Sequence, residues 1–179
     1  TTITVEDESI TDIGGRLIRQ AGVARGTEAV VITDRNLTAT WGRTALDSLV
    51  RTGIEGGEFV IEPGEASKSL SVVESILAFL TERRFPRDGI VVAVGGGVVS
   101  DLAGFVAATW MRGVRWAICP TTVEAMVDAA IGGKTAINLP GGKNLVGAFH
   151  APVLVVIDPG CLRTLPDRDY RAGWAESIK

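Results

Sequence analysis

At 179 residues, 46% hydrophobic and 22% charged, the chain has the composition of an ordinary globular domain with enough apolar residues for a real core, which argues against a disordered or low-complexity protein. A formal net charge of −3 and a pI near 5.2 offer no basic surface for nucleic acid, and the acidic opening around Glu6, Asp7, Glu8 and Asp12 reads as a solvated face. No signal-peptide pattern opens the chain and no run is apolar enough for a membrane, so a cytoplasmic protein is expected, with Cys119 and Cys161 as reduced thiols rather than a disulfide or metal site.

In chain order, helical and β-branched segments alternate. The periodicity predicts helix 10–21, strand 28–33, helix 40–52, strand 58–61, helix 70–84, strand 90–94, helix 98–111, strand 116–119, helix 123–130 and strand 153–157. The continuous apolar run Ile90 to Val94 has the look of a strand buried on both faces. Such alternation implies right-handed crossovers and an α/β fold, a Rossmann-like parallel sheet with flanking helices. After Leu165-Pro166, residues 167–179 predict one more helix with Tyr170, Trp174 and Ile178 on one face and nothing to stop it, as if the chain were cut inside a helix.

Strand 90–94 runs into Gly95-Gly96-Gly97 and then into an apolar helix. Three glycines let the backbone turn sharply without a Cβ between main chain and ligand, and the free N–H groups of a new helix suit a pyrophosphate. Against the dinucleotide fingerprint, Gly95 and Gly97 fit but Ser100 holds the third position, so a tight turn without a ligand is the plain alternative.

A second constellation follows strand 116–119. Thr121 and Thr122 fall at the carboxyl edge of the sheet, where they suit a ligand or serve simply as hydroxyl caps. Gly132-Gly133-Lys134 and Gly141-Gly142-Lys143-Asn144 repeat one unit around the strand-like Thr135 to Leu139. Fully extended, the two lysines would stand roughly 30 Å apart. They can share a site only if Pro140-Gly141-Gly142 turns the chain into a hairpin, and two lysines without neighbouring carboxylates then call for a phosphate or carboxylate between them. Two exposed turn lysines are the alternative.

The motifs Gly-Gly-Gly-Val-Val-Ser-Asp-Leu-Ala-Gly-Phe (95–105), Pro-Thr-Thr (120–122), Val-Asp (127–128), Gly-Gly-Lys-Thr-Ala-Ile-Asn-Leu-Pro-Gly-Gly-Lys-Asn-Leu-Val-Gly-Ala-Phe (132–149) and Ala-Glu-Ser-Ile-Lys (175–179) together resemble the 3-dehydroquinate synthase family of sugar phosphate cyclases. The resemblance implies an NAD-binding α/β domain over 1–165 and, in 166–179, the first helix of a C-terminal helical metal and substrate domain otherwise absent from this chain. It implies a shikimate-pathway enzyme that needs NAD and Zn2+ or Co2+ and converts 3-deoxy-D-arabino-heptulosonate 7-phosphate to 3-dehydroquinate and phosphate. In that chemistry NAD transiently oxidises a ring hydroxyl polarised by the metal, phosphate leaves, the ketone is reduced again, and an aldol step closes the ring. The phosphorylated sugar acid is the expected substrate, and a homodimer the expected assembly.

Carried over by motif, the resemblance assigns Asp34, Asn36, Glu65 and Lys68 to the adenosine end of NAD, Gly96 and Gly97 to the pyrophosphate, and Asp101 to a ribose hydroxyl. Thr121, Thr122 and Lys143 would line the nicotinamide side, and Thr164 would be a further cofactor contact. Asp128, Lys134, Asn144 and Lys179 would hold substrate, with Lys134 also near the cofactor; Arg112 would serve a neighbouring subunit's phosphate site. Glu176 would be a metal ligand, whereas His150 stands at no ligand position. Taken without the resemblance, Glu65 and Lys68 are loop charges and Asp101 a helix-dipole partner. A related cyclase acting on sedoheptulose 7-phosphate or an amino analogue, and a non-catalytic NAD-binding module, are the alternative functions.

Overall fold

The structure, a computed structural model, describes residues 1–178, with side chains described through Ala175. Among these residues the strands are β1 (Thr2–Val5), β2 (Glu28–Asp34), β3 (Glu55–Ile61), β4 (Ile90–Gly95), β5 (Arg115–Pro120), β6 (Lys134–Leu139), β7 (Gly142–Phe149) and β8 (Leu154–Ile157). The helices are α1 (Ile13–Ala21), α2 (Trp41–Arg51), α3 (Leu70–Glu82), α4 (Gly97–Thr109) and α5 (Asp167–Ile178). Six strands form one parallel sheet in the order β1-β8-β5-β4-β2-β3, and β6 and β7 form a separate antiparallel hairpin.

Alternating side chains of the central strands feed two cores. Ala29, Val31, Ile90 and Val92 pack with Ile13 and Leu17 of α1 and Ala45 and Leu49 of α2. Val30, Ile32, Val91 and Ala93 pack with Ile76 and Leu80 of α3 and Leu102 and Val106 of α4. Both faces are therefore covered, as a parallel sheet requires, and every residue of β4 is buried. The expected α/β architecture is the one observed.

After β2 the chain adds β3 on one side, then returns to add β4 on the other. Strand order reverses there, which opens a crevice at the carboxyl ends of β2 and β4, the position where open parallel sheets take ligands.

Several expected boundaries move. Residues 2–5, for which the sequence predicts no element, form β1, which pairs with β8 at the sheet edge. Its exposure explains why the sequence gives no signal for it, since Ile3 and Val5 are exposed and the strand shows no buried alternation. β3 begins at Glu55 rather than 58 because Gly56 and Gly57 hide its start; a Cβ on Gly56 would stand 2.6 Å from a Leu46 methyl. Helix 10–21 opens as a 3-10 turn, Ser9–Asp12. Helix 98–111 stops at Thr109, where Met111, Arg112 and Gly113 all take positive φ (47°, 68° and 122°). Segment 123–130 contains a π-helical turn, Ala125–Ala129. The strand-like 135–139 becomes β6, with the doubling-back at Pro140-Gly141 that the turn residues predict.

Candidate functional site

The crevice is a cleft of about 1030 Å³ bordered by the carboxyl ends of β2, β4 and β5 and by the hairpin. Sequence-predicted residues from far-apart segments meet there. Asp34 and Asn36 follow β2; Glu65 and Lys68 lie in and just after the 3-10 turn Glu65–Ser67; Gly96, Gly97 and Asp101 open α4. Thr121 and Thr122 follow β5, Asp128 sits in the π-helical turn, Lys134, Lys143 and Asn144 come from the hairpin, and Thr164 ends the 3-10 segment Pro159–Thr164. Arg112 does not line the cleft; it is exposed on the turn beyond the other end of α4, about 20 Å from the helix start at 1.5 Å per residue. Glu176 lies on α5 with its side chain outside the described ones, and Lys179 lies outside the described residues.

The three glycines divide their work. A Cβ on Gly95 would strike Val99 at 2.6 Å, and one on Gly96 would stand 3.0 Å from the Thr122 methyl, so these two serve packing. A Cβ on Gly97 would meet only the Ala129 Cβ, at 3.9 Å, and so would project into the open cleft. No side chain caps α4 at Gly96, leaving its first N–H groups for a ligand. Ser100, the residue that departs from the glycine fingerprint, is buried and donates to the Gly96 carbonyl at 2.9 Å, so its hydroxyl stays out of the cleft.

Charge is arranged in tethered pairs. Lys68 Nζ meets Asp101 Oδ2 at 2.5 Å with both side chains largely buried. Burial nevertheless pushes the Asp101 carboxyl above its ordinary value, outweighing the lysine beside it. Asp34 is likewise raised by burial, against the hydrogen bond it accepts from the Asn36 N–H at 2.9 Å. Glu65 moves the other way: the hydrogen bond from Asn138, followed by Lys68 and Lys143, holds it below the usual glutamate range.

The hairpin corrects one expectation. Lys134 stands opposite Phe149 at its open end, whereas Lys143 follows Gly142 at its closed end, roughly 16 Å away along the strand at 3.3 Å per residue. Each lysine has the carboxylate neighbour that was not expected: Lys134 Nζ is 3.8 Å from Asp128, and Lys143 Nζ is 3.7 Å from Glu65. Both lysines nevertheless line the one cleft.

Other groups are accounted for structurally. Thr122 Oγ1 accepts from the Ala125 N–H at 3.2 Å, capping the turn that carries Asp128. Thr164 Oγ1 accepts from Trp41 Nε1 at 2.8 Å and donates to the Cys161 carbonyl at 3.2 Å. His150 bonds the Val114 carbonyl through Nε2 at 2.8 Å, and among the described residues no group of three His, Cys, Asp or Glu could hold a metal ion. Cys119 and Cys161 are free and buried; burial pushes the Cys161 thiol up to about 12 and that of Cys119 well above its ordinary value, so neither is a thiolate at neutral pH. Sequence reasoning missed Asn138, whose amide joins Glu65 to the hairpin. A polar residue between Ile137 and Leu139 was the available signal.

The family model for the 3-dehydroquinate synthase N-terminal domain matches residues 58–172. A 3-dehydroquinate synthase of Prochlorococcus marinus (strain MIT 9313) is 48% identical over 165 residues, 92% of this chain and 44% of the relative. The chain thus spans about half the length of the curated relatives it matches. The 2-epi-5-epi-valiolone synthase ValA of Streptomyces hygroscopicus subsp. jinggangensis 5008, solved with NAD+ and Zn2+ bound, superposes with a TM-score of 0.85 at 29% identity over 98% of this chain and 47% of that one. A 2-deoxy-scyllo-inosose synthase complexed with carbaglucose-6-phosphate, NAD+ and Co2+ superposes with a TM-score of 0.87 at 26% identity over 98% and 47%. No described helix is long and apolar enough to cross a membrane.

Proposed function

Because the chain belongs to the 3-dehydroquinate synthase family, we propose that it forms the NAD-binding and substrate-anchoring part of an enzyme that converts 3-deoxy-D-arabino-heptulosonate 7-phosphate to 3-dehydroquinate and phosphate. The observation that carries this reading is the Gly97 cradle: an open backbone at the start of α4, inside a cleft lined by the other assigned cofactor residues. Bound NAD supplies a hydride acceptor that can return the hydride in the same turnover. In this reading residues 1–165 are the cofactor domain, and 166–179 belong to a further helical domain.

The α4 N–H groups and Gly97 take the pyrophosphate; Asp34, Asn36 and Glu65 meet the adenosine end; Asp101, held by Lys68, accepts from a ribose hydroxyl; Thr121, Thr122, Thr164 and Lys143 line the remaining cofactor surface. Asp128, Lys134 and Asn144 hold the substrate, the lysine offsetting phosphate or carboxylate charge. Arg112, exposed on its strained turn, serves the phosphate site of a second subunit in a cytoplasmic homodimer. Zn2+ or Co2+ finds no ligand set among the described residues, and Glu176, the proposed ligand, would need further ligands to hold it.

Identity favours this substrate over those of the related cyclases, since the synthase relatives are 48% and 43% identical against 29% and 26% for ValA and the inosose synthase. Calorimetric titration tests the cofactor part. Wild-type chain should bind NAD, and Gly97→Val should weaken binding at least tenfold, about 1.4 kcal/mol, with unchanged unfolding midpoint because the Cβ meets only Ala129. No heat up to millimolar NAD, or equal affinity in the valine variant, overturns the reading. For the reaction, the whole gene product should release phosphate from the heptulosonate phosphate and not from sedoheptulose 7-phosphate, and the 179-residue chain alone from neither.

A further inference from the structure

We propose that Asn138 is a positioning residue that couples the cofactor side of the cleft to the substrate side, through one amide shared between Glu65 and Asn144. The inference rests on the proposed assignment of Glu65 to the cofactor and of Asn144 to the substrate, and names a residue that assignment leaves out.

The hairpin register shows why Asn138 is available. Ile137 faces Val146, yet Leu139 faces Gly142, so β7 carries residues 143–145 as an irregularity opposite Asn138. Freed from the ladder, the Asn138 N–H donates instead to the Lys68 carbonyl at 2.8 Å. Its side chain then makes two bonds of opposite kind. Nδ2 donates to Glu65 Oε1 at 2.8 Å, and Oδ1 accepts from the Asn144 N–H at 2.9 Å. One amide orientation alone satisfies both, because a carboxylate only accepts and an N–H only donates. Asn144 has φ +57°, a left-handed conformation that asparagine tolerates better than most residues and that the Oδ1 bond holds in place. Irregularities of this kind re-aim side chains beside sites.

The consequence is a mechanical link. Glu65 is tied to Asn138, and Asn138 fixes the backbone at Asn144 and, next to it, Lys143, whose ammonium lies 3.7 Å from the same Glu65. A ligand group that moves Glu65 moves Asn144 through a single side chain.

The test uses the 179-residue chain with Asn138→Ala and Asn138→Asp. Three charged groups influence Glu65: Lys68, Lys143 and Asp101. Alanine removes both amide bonds, so the Glu65 carboxyl, followed by carbon-detected NMR titration, should move up toward the ordinary glutamate value, and the Asn144 amide should lose hydrogen-exchange protection. Aspartate keeps the acceptor for Asn144 but sets a like charge against Glu65, so Glu65 should move higher still while Asn144 stays protected. NAD affinity should fall about tenfold in both, the size expected for losing a hydrogen bond to a charged group. A residue that only braces the hairpin would change the unfolding midpoint and leave the Glu65 titration and the split between the two variants untouched; that result overturns the proposal. If alanine fails to fold, the aspartate variant decides by itself, since the like charge must raise Glu65 with Asn144 still protected. Should wild-type chain bind no NAD, the cofactor assignment fails, whereas the Glu65 and Asn144 readouts still judge Asn138.

Discussion

Strands β4 and β7 lie on either side of the same cleft and are held by different forces. All residues of β4 are buried, flanked by β2 and β5 and covered by helices on both faces. No residue of β7 is buried, and Leu145 and Phe149 are 63% and 89% exposed. One strand is fixed by apolar burial, at about 1.5–3 kcal/mol for each large side chain. The other is held by its half-buried Val146 against the core and through its partner β6, by Ile137 in the core, by the Thr135 methyl near Gly104, and by a few polar links. The sheet therefore carries stability, while the hairpin brings the proposed ligand-binding lysines to the cleft, so substitutions in the two regions should fail in different assays.

The largest effect should come where the regions join. Trp116 of β5 is 1% exposed, approaches Gly104 on α4, and donates from Nε1 to the His150 carbonyl just after β7 at 2.9 Å. Trp116→Ala opens a cavity and removes that anchor, which should cost about 3–5 kcal/mol in urea unfolding. Trp116→Phe should recover most of the stability but leave the hairpin amides, Thr135 to Phe149, exchanging faster than in the parent. Protected hairpin amides in the phenylalanine variant would mean that β7 is fixed without the sheet, and the contrast would lose its basis.

Next in size is the Lys68–Asp101 pair, which the hairpin overlies through the Asn138 N–H bond to the Lys68 carbonyl. Asp101→Asn leaves a buried ammonium without its carboxylate and should destabilise by about 2–3 kcal/mol near neutral pH, somewhat below the full cost of a broken buried pair because the carboxylate itself is held against burial. The sign of the pH dependence checks this. With its folded value above the ordinary one, Asp101 binds more protons in the native state than in the unfolded state between those two values, so stability falls as pH rises through that window. Glu65, lowered in the folded state, contributes the opposite: stability present above the ordinary glutamate value and lost as pH falls through the lowered one. Asparagine at 101 should reduce the first slope, to which the likewise raised Asp34 also contributes, and keep the second. An unchanged profile in that variant would rule out Asp101 as its source.

The same division marks what could be read from sequence. Continuous apolar runs revealed β2, β4, β5 and β8 because burial on two faces demands Val, Ile and Ala in a row. The exposed edge strand β1 has no such signature, and β3 shows it only after its glycines. The glycine turn, the threonines and the Gly-Gly-Lys units were visible as motifs, and fourteen residues assigned through the family resemblance line one cleft. Their pairing was not visible. Nothing local in the sequence announces that Lys134 finds Asp128, that Lys143 finds Glu65, or that Asn138 joins Glu65 to Asn144, since each link depends on how the hairpin settles over α4.

The smallest expected change in stability, and the sharpest separation of the two regions, lies in the hairpin lysines. Lys134 and Lys143 are 68% and 73% exposed at the side chain, and their carboxylate neighbours stand at 3.8 and 3.7 Å. Exposed pairs of that kind contribute about 0–1 kcal/mol, so Lys134→Ala and Lys143→Ala should each shift urea unfolding by less than about 0.5 kcal/mol. Ligand affinity should respond far more. A charge-assisted contact to an anion in a partly enclosed cleft is worth about 1.5–3 kcal/mol, or more than tenfold. Since Lys143 is assigned to the nicotinamide side and shares Glu65 with the adenosine side, Lys143→Ala should weaken NAD more than Lys134→Ala does. Lys134→Ala should instead show its loss in turnover of the heptulosonate phosphate by the whole gene product. Raising ionic strength should narrow both differences, because each lysine side chain is largely in water. Equal, near-parental NAD affinity and turnover in the two alanine variants would reduce the lysines of both Gly-Gly-Lys units to solvent-facing turn residues.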